Sequence, residues 1–289
     1  MSANVAFIGL GLMGTGFTRR LNETGHTIAG YDVDAARLSA ASAWGVTAAA
    51  SPKESAATAD IVMICVTTSK AMKEVVLGKG GLLEGSVSGK TIVDFSTCEI
   101  PVTRAVAEAV VEAGGTFIDA PVSGGPGQAE LGTLAIMAGG SDAALSTARP
   151  VLENLGKVTH MGDVGAGQAT KLVNQALCLT NYCVVAEGLR IAEAFGVDAS
   201  KIPEALEPGL GNSAVLQAVY PRMVAEDFAP RGYARQILKD FEMLIEATRE
   251  KHISLPMAFQ AATLYRMLCA GGDAELDGSA VVKLIPKPE

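Results

Sequence analysis

Histidine is scarce in this chain: His26, His160 and His252 are the only three in 289 residues, and they lie far apart. None has a partner at metal-ligand spacing, so no metal is expected, and a serine hydrolase built on Ser123 lacks a histidine base. Cysteine is sparse too. Cys65, Cys98, Cys178, Cys183 and Cys269 form no CxxC pair, and their odd number suits reduced thiols better than a disulfide framework, which points to the cytoplasm. No run of about twenty apolar residues occurs, so no membrane span is expected. The apolar start at Val5 lacks a basic region before it and is soon broken by glycines, so it marks a first strand and not a signal. A basic surplus is also missing. The 23 Lys and Arg against 31 Asp and Glu leave a net charge of −8, which excludes nucleic acid or an anionic membrane as a main partner.

What is present is core-forming material, at 49% hydrophobic residues. Up to about residue 161, short β-branched runs alternate with helical stretches: Val5 to Ile8, Thr27 to Tyr31, Ile61 to Val66, Thr91 to Phe95, Thr116 to Ile118, Leu134 to Ala138 and Val158 to Met161. That alternation predicts an α/β domain with a mainly parallel, doubly wound sheet. After Gly167 the strand signal stops. Residues 168 to 195 read as one long helix, apolar nearly all round and therefore buried either in a core or between subunits. The expected division is residues 1–162, a dinucleotide-binding domain, and 163–289, an all-α domain reached through the long helix. Pro203, Pro208, Pro221, Pro230 and Pro256 are expected to punctuate its helices.

The chemistry begins at GLGLMG, residues Gly9, Leu10, Gly11, Leu12, Met13 and Gly14, placed between a strand and a helix. The first glycine permits a tight turn and the second lets a pyrophosphate approach the backbone. The third lets helix and strand pack, with phosphate charge at the helix N-terminus. Asp32 ends the second strand, where a carboxylate accepts from the ribose hydroxyls and repels a 2′-phosphate, favouring NAD over NADP. The competing reading makes Asp32 or Asp34 a helix cap, with Arg37 free to meet a phosphate.

DFSTCEIP follows at residues 94–101. Ser96 and Thr97 stand at a strand C-terminus, where they face the cofactor crevice of an open α/β sheet or else cap the helix near Pro101. In DAPVSGG, Ser123, Gly124 and Gly125 combine a hydroxyl with backbone lacking Cβ, which describes either a tight turn or a receptor for a carboxylate. In GAGQATKLVNQ, Lys171 and Asn174 are three positions apart and share a helix face. Their neighbours are apolar, so this lysine looks into a cleft. An ammonium there protonates a carbonyl oxygen as hydride arrives, and the free amine takes the proton back in reverse. Lys239 and Asp240 are either a surface pair or a second cation that helps bind an acid.

Taken in order, GLGLMG, DFST, DAPVSGG with GTLAIMAGG, GAGQATKLVN and the pair at 239–240 span the whole chain, which resembles the β-hydroxyacid dehydrogenase family related to 6-phosphogluconate dehydrogenase. The resemblance implies a Rossmann domain, an all-helical domain that also builds a homodimer or homotetramer, and an active site between them. It implies Lys171 as the catalytic lysine, Ser123, Gly124 and Gly125 as the cradle of a small carboxylate substrate, and Asn174 and Lys239 completing the site beside Asp240. Lys171 also separates the chain from imine reductases, which share the architecture without the lysine. The expected reaction is NAD-dependent interconversion of a 3-hydroxy acid with its semialdehyde or 3-oxo acid. The alternatives are an NADP-dependent semialdehyde or glyoxylate reductase and a non-catalytic NAD(H)-binding scaffold. Two departures stand out. Val66 and Thr67, at the adenosine pocket, replace a leucine-proline pair common in relatives, and Arg231 and Arg235 leave room for a larger or more acidic substrate.

Overall fold

Alternate residues of the central strands feed two different cores, and this period of two is what makes the first half of the chain a sheet with helices on both faces. The structure, a computed structural model, describes residues 2–288. Its strands are β1 (Asn4–Ile8), β2 (Thr27–Tyr31), β3 (Val46–Ala48), β4 (Ile61–Ile64), β5 (Thr91–Asp94), β6 (Thr116–Asp119), β7 (Val122–Ser123), β8 (Leu134–Gly139) and β9 (Gly156–Gly162). They form one sheet in the order β3-β2-β1-β4-β5-β6-β8-β7, with β9 beside β8. From β3 through β6 every pair is parallel, whereas β8 runs antiparallel to β6 and β7.

The helices of this unit are α1 (Leu12–Glu23), α2 (Ala35–Ala41), α3 (Pro52–Ser55), α4 (Ser69–Leu77), α5 (Ile100–Glu112), α6 (Gly125–Leu131) and α7 (Asp142–Leu152). Phe7, Met63, Val93 and Ile118 share one core with Phe17 and Leu21 of α1. Ala6, Ile8, Val62, Ile64 and Ile92 share the other with Met72 and Val76 of α4 and Val106 and Val110 of α5. The sheet is the mainly parallel, doubly wound one expected from sequence, with two additions. Strands β3 and β7, three and two residues long, are too short to leave a periodic trace. Strand β4 stops at Ile64, so Cys65 and Val66, expected in the strand, belong to the connection that follows it.

The chain divides into two compact units, up to Lys171 and from Leu172 onward. The change falls inside helix α8 (Ala166–Ala194), nine residues beyond the end of β9. The second unit contains α9 (Ile202–Leu206), α10 (Ala214–Val224), α11 (Ala234–Glu250), α12 (Pro256–Leu268) and a 3-10 segment over Gly278–Leu284. Tyr220, Phe241 and Tyr265 fill its core. Arg222 and Asp277 form a buried pair at 2.9 Å, and Asp277 also accepts the backbone N–H groups of Arg231, Gly232 and Ser279.

Proline does not punctuate this half uniformly. Pro203 and Pro256 sit in first helical turns, where the missing N–H costs nothing, but Pro221 lies inside α10. Buried Val219, Tyr220 and Met223 hold that helix together around it. The apolar character of α8 is equally divided. Leu179, Ala186 and Leu189 are buried, while Val173, Leu177, Val184 and Ile191 are exposed and fall within about 40° of one another around the helix axis. No helix among the described residues is long and apolar enough to cross a membrane.

Candidate active site

The glycine loop after β1 is shaped by three different constraints. Gly9 has φ +98° and donates its N–H to the Tyr31 carbonyl at 2.9 Å. A Cβ there would strike the carbonyl of Cys65, and one at Gly14 would strike the carbonyl of Gly9. Gly11 opens α1 without a side-chain cap, and no acidic residue lies in that helix's first turn. Its leading N–H groups are therefore available to a phosphate, which is the observation that fits this loop to a dinucleotide.

Asp32 is buried behind the same loop. Its Oδ2 accepts the Leu10 N–H at 2.6 Å and its Oδ1 accepts the Asp34 N–H at 2.8 Å. The carboxylate thus braces the glycine turn, and each oxygen keeps a second lone pair for a ribose hydroxyl. Asp34, not Asp32, caps α2 through the Ala36 N–H, and Arg37 lies 3.4 Å from Asp34.

Sequence reasoning gave Ser96 and Thr97 one shared role, and the structure separates them. Ser96 is buried, and its Oγ accepts the Val66 N–H at 2.9 Å, so it ties the connection after β4 to the one after β5. Val66 in turn packs against Gly9, which places Val66 and Thr67 beside the glycine loop. Thr97 is half-buried. Neither caps α5, whose N-cap is Glu99 without a side-chain bond.

The Ser123 loop is a short strand running into α6, with φ +139° at Gly124 and +79° at Gly125. A Cβ at Gly124 would press on Gln128 and Leu134, whereas one at Gly125 would meet no atom within 4 Å. Both glycines have the positive φ that the turn requires, and a side chain at Gly125 would extend into open space. Gly16, which no motif singled out, lets α6 lie against α1, since a Cβ there would come within 2.9 Å of the Pro126 carbonyl. Lys171, in the second turn of α8, is 8% exposed, and its Nζ donates to the Val122 carbonyl at 2.7 Å. That contact sets the ammonium against the residue preceding Ser123.

Two buried carboxylates lie behind these loops, paired across β5 and β6. Burial pushes Asp94 from 3.8 up to about 7, although Ser96 donates to it, and Asp119 adds its own repulsion. Burial likewise raises Asp119 to about 6, against the opposing N–H bonds from Gly165 and Gln168. Burial pushes the Cys65 thiol up to about 12, which keeps it out of nucleophilic chemistry.

In the second unit, polar contacts run through α8 and α11. Asn174 Nδ2 donates to Gln175 Oε1 at 2.8 Å, Gln175 donates to Asp240 Oδ2, and Lys239 Nζ lies 2.9 Å from Asp240 Oδ1. Asp240 is buried and holds Lys239. Gln175 was missed, because a glutamine in an apolar helix carries no motif of its own. Arg231 and Arg235 are engaged locally, by Asp227 at 3.5 Å and by Glu275 at 2.6 Å, so neither supplies the case for a more acidic substrate.

A sheet in this order, with a braced glycine turn and an uncapped helix behind it, defines a dinucleotide-binding oxidoreductase scaffold. Residues 4–162 match the family model described as the NAD binding domain of 6-phosphogluconate dehydrogenase, and residues 165–285 match that described as NAD-binding of NADP-dependent 3-hydroxyisobutyrate dehydrogenase. The chain is 34% identical over 284 residues to 2-hydroxy-3-oxopropionate reductase of Escherichia coli, covering 97% of this chain and 96% of that one. It is 33% identical over 285 residues to 2-(hydroxymethyl)glutarate dehydrogenase of Eubacterium barkeri, covering 98% and 95%. Among solved structures, 3-hydroxyisobutyrate dehydrogenase of Mycobacterium tuberculosis with L-serine superposes with a TM-score of 0.86 at 30% identity, over 99% of both chains. The chain belongs to the β-hydroxyacid dehydrogenase family. It is an NAD(P)-dependent oxidoreductase acting on hydroxyl groups.

Proposed function

We propose that the protein interconverts a short 3-hydroxy carboxylate and its semialdehyde or 3-oxo acid, with Lys171 as general acid and base and NAD as the preferred cofactor. The observation that carries this reading is the buried Lys171 ammonium, held 2.7 Å from the carbonyl that leads into the Ser123 loop. A buried lysine is costly unless its charge is used, and here the Val122 carbonyl anchors it beside the loop that carries the Ser123 hydroxyl. The Ser123 hydroxyl and the backbone at Gly124 and Gly125 hold the substrate carboxylate. In oxidation, Lys171 as the free amine takes the hydroxyl proton while the hydrogen on the same carbon departs as hydride. In reduction, the ammonium returns that proton to the carbonyl oxygen. A nicotinamide dinucleotide held by the Gly9–Gly14 turn and Asp32 would supply the hydride acceptor or donor. Within the second unit, Gln175 and Asp240 hold Asn174 and Lys239 in place.

The preference for NAD rests on Asp32, whose carboxylate is fixed by the Leu10 and Asp34 amides and cannot swing away from a 2′-phosphate. The test is a screen of L-serine, 3-hydroxyisobutyrate and 2-(hydroxymethyl)glutarate in oxidation and 2-hydroxy-3-oxopropionate in reduction, each with both cofactors. At least one acid is expected to turn over, with kcat/KM about tenfold or more higher for NAD, a discrimination of about 1.4 kcal/mol. A higher kcat/KM with NADP would remove the role given to Asp32.

A further inference from the structure

The first turn of α8 is held from the side by two residues that the reaction itself does not use. Asp119, at the end of β6, directs its carboxylate at the start of the helix: Oδ1 accepts the Gly165 N–H at 2.7 Å and Oδ2 accepts the Gln168 N–H at 2.8 Å. These are N–H groups that a helix start leaves without internal partners, and here a distant strand caps them with a carboxylate. The sequence clears space for that carboxylate. A Cβ at Gly139 would lie 2.5 Å from Asp119 Oδ1, and one at Gly167 would lie 2.9 Å from Oδ2.

Gln168 continues the connection in the other direction. It is 1% exposed, its Oε1 accepts the Cys98 N–H at 3.1 Å, and its Nε2 donates to the Ser96 carbonyl at 2.8 Å. One amide side chain therefore bonds both ends of the Ser96–Thr97–Cys98 turn and leaves Thr97 at its apex. Lys171 follows Gln168 by three residues on the same helix face. A hydrophobic residue would have sufficed merely to fill this position. An amide that satisfies one buried donor and one buried acceptor on another loop fixes a distance as well.

We propose that Gln168, braced by Asp119, is a positioning residue that sets the separation between Lys171 and the Ser96–Cys98 turn. The proposal deepens the acid–base reading of Lys171 and rests on it for its kinetic consequence. Gln168→Met keeps the length and most of the volume of the side chain while removing both hydrogen bonds. Its cost falls on placement, and a misplacement of about 1 Å is enough to slow hydride transfer about a hundredfold.

The experiment compares the parent, Gln168→Met and Lys171→Ala by hydrogen exchange over residues 94–100 and by kinetics with the best acid of the screen above. In Gln168→Met, exchange at the Ser96–Cys98 turn is expected to speed up about tenfold or more while the melting temperature stays within a few degrees. Turnover should fall about 10- to 100-fold with KM for the acid changed less than about threefold, and the substrate deuterium isotope effect on kcat should rise. Parent-like exchange and turnover, or a loss of turnover that only follows the unfolded fraction, would overturn the proposal. Full turnover in Lys171→Ala would count against the acid–base reading alone, because the exchange result does not depend on it.

Discussion

Lys171→Ala is expected to lower kcat by a factor on the order of 10³ while leaving the affinity for NADH, followed by its fluorescence, within about threefold of the parent. The division follows from where the side chain lies. Its Nζ bonds the Val122 carbonyl beside the Ser123 loop, whereas the glycine turn and Asp32 that fit the cofactor are braced by their own backbone contacts. Losing a bond such as that to the Val122 carbonyl costs about 1 kcal/mol, too little to explain a thousandfold effect. Lys171→Arg separates charge from proton transfer. A guanidinium keeps the cation but cannot give up its proton near neutral pH, so this variant should remain as slow in oxidation as Lys171→Ala. Recovery of parental kcat in the arginine variant would make Lys171 an electrostatic anchor and not an acid or base.

The second large effect concerns stability. Asp94 is fully buried, and its carboxyl is raised from 3.8 to about 7 in the folded protein, so folding favours the protonated form. The stabilisation from that preference is complete below about pH 4 and is lost as the pH climbs through 7, amounting to about 4 kcal/mol across the window. An asparagine side chain at this position cannot ionise. The unfolding free energy of Asp94→Asn relative to the parent should therefore move in the variant's favour by about 4 kcal/mol between pH 4 and pH 8, as read from urea titrations at the two pH values. A difference that stays constant with pH would mean that Asp94 is ionised in the fold throughout. The carboxyl has a local use: Asp94 accepts the Ser96 N–H, and Ser96 holds Val66 against the glycine loop.

How much of this was legible in the sequence depended on how local each signal was. The long parallel strands announced themselves through continuous apolar runs such as Ile61–Ile64, and the glycine loop through its G-x-G-x-x-G spacing, which the collisions of any Cβ at Gly9 or Gly14 explain. Strands β3 and β7 did not, because two or three residues carry no period. Lys171 stood out as a charge in an apolar helix. Gln168 and Gln175 did not, since a glutamine gains meaning only from the groups it meets, 70 and 65 positions away in sequence. Ser96 was noticed for its hydroxyl and assigned to the crevice, but its direction was fixed by Val66, thirty residues earlier. Arg231 and Arg235 drew attention as added positive charges, and their partners Asp227 and Glu275 became evident only in the fold.

The proposed reaction passes hydride between a nicotinamide and the oxygen-bearing carbon of a short hydroxy acid. The measurement incubates the purified protein with NADH carrying deuterium at both C4 positions and 2-hydroxy-3-oxopropionate, and locates the label by mass spectrometry and proton NMR. One deuterium is expected, bound to the carbon that was the aldehyde, appearing with NADH consumed one for one and about a thousandfold more slowly in Lys171→Ala. NADH bound tightly but never oxidised by this aldehyde, with no NAD reduced by any hydroxy acid of the screen, or a product without carbon-bound label, would contradict it.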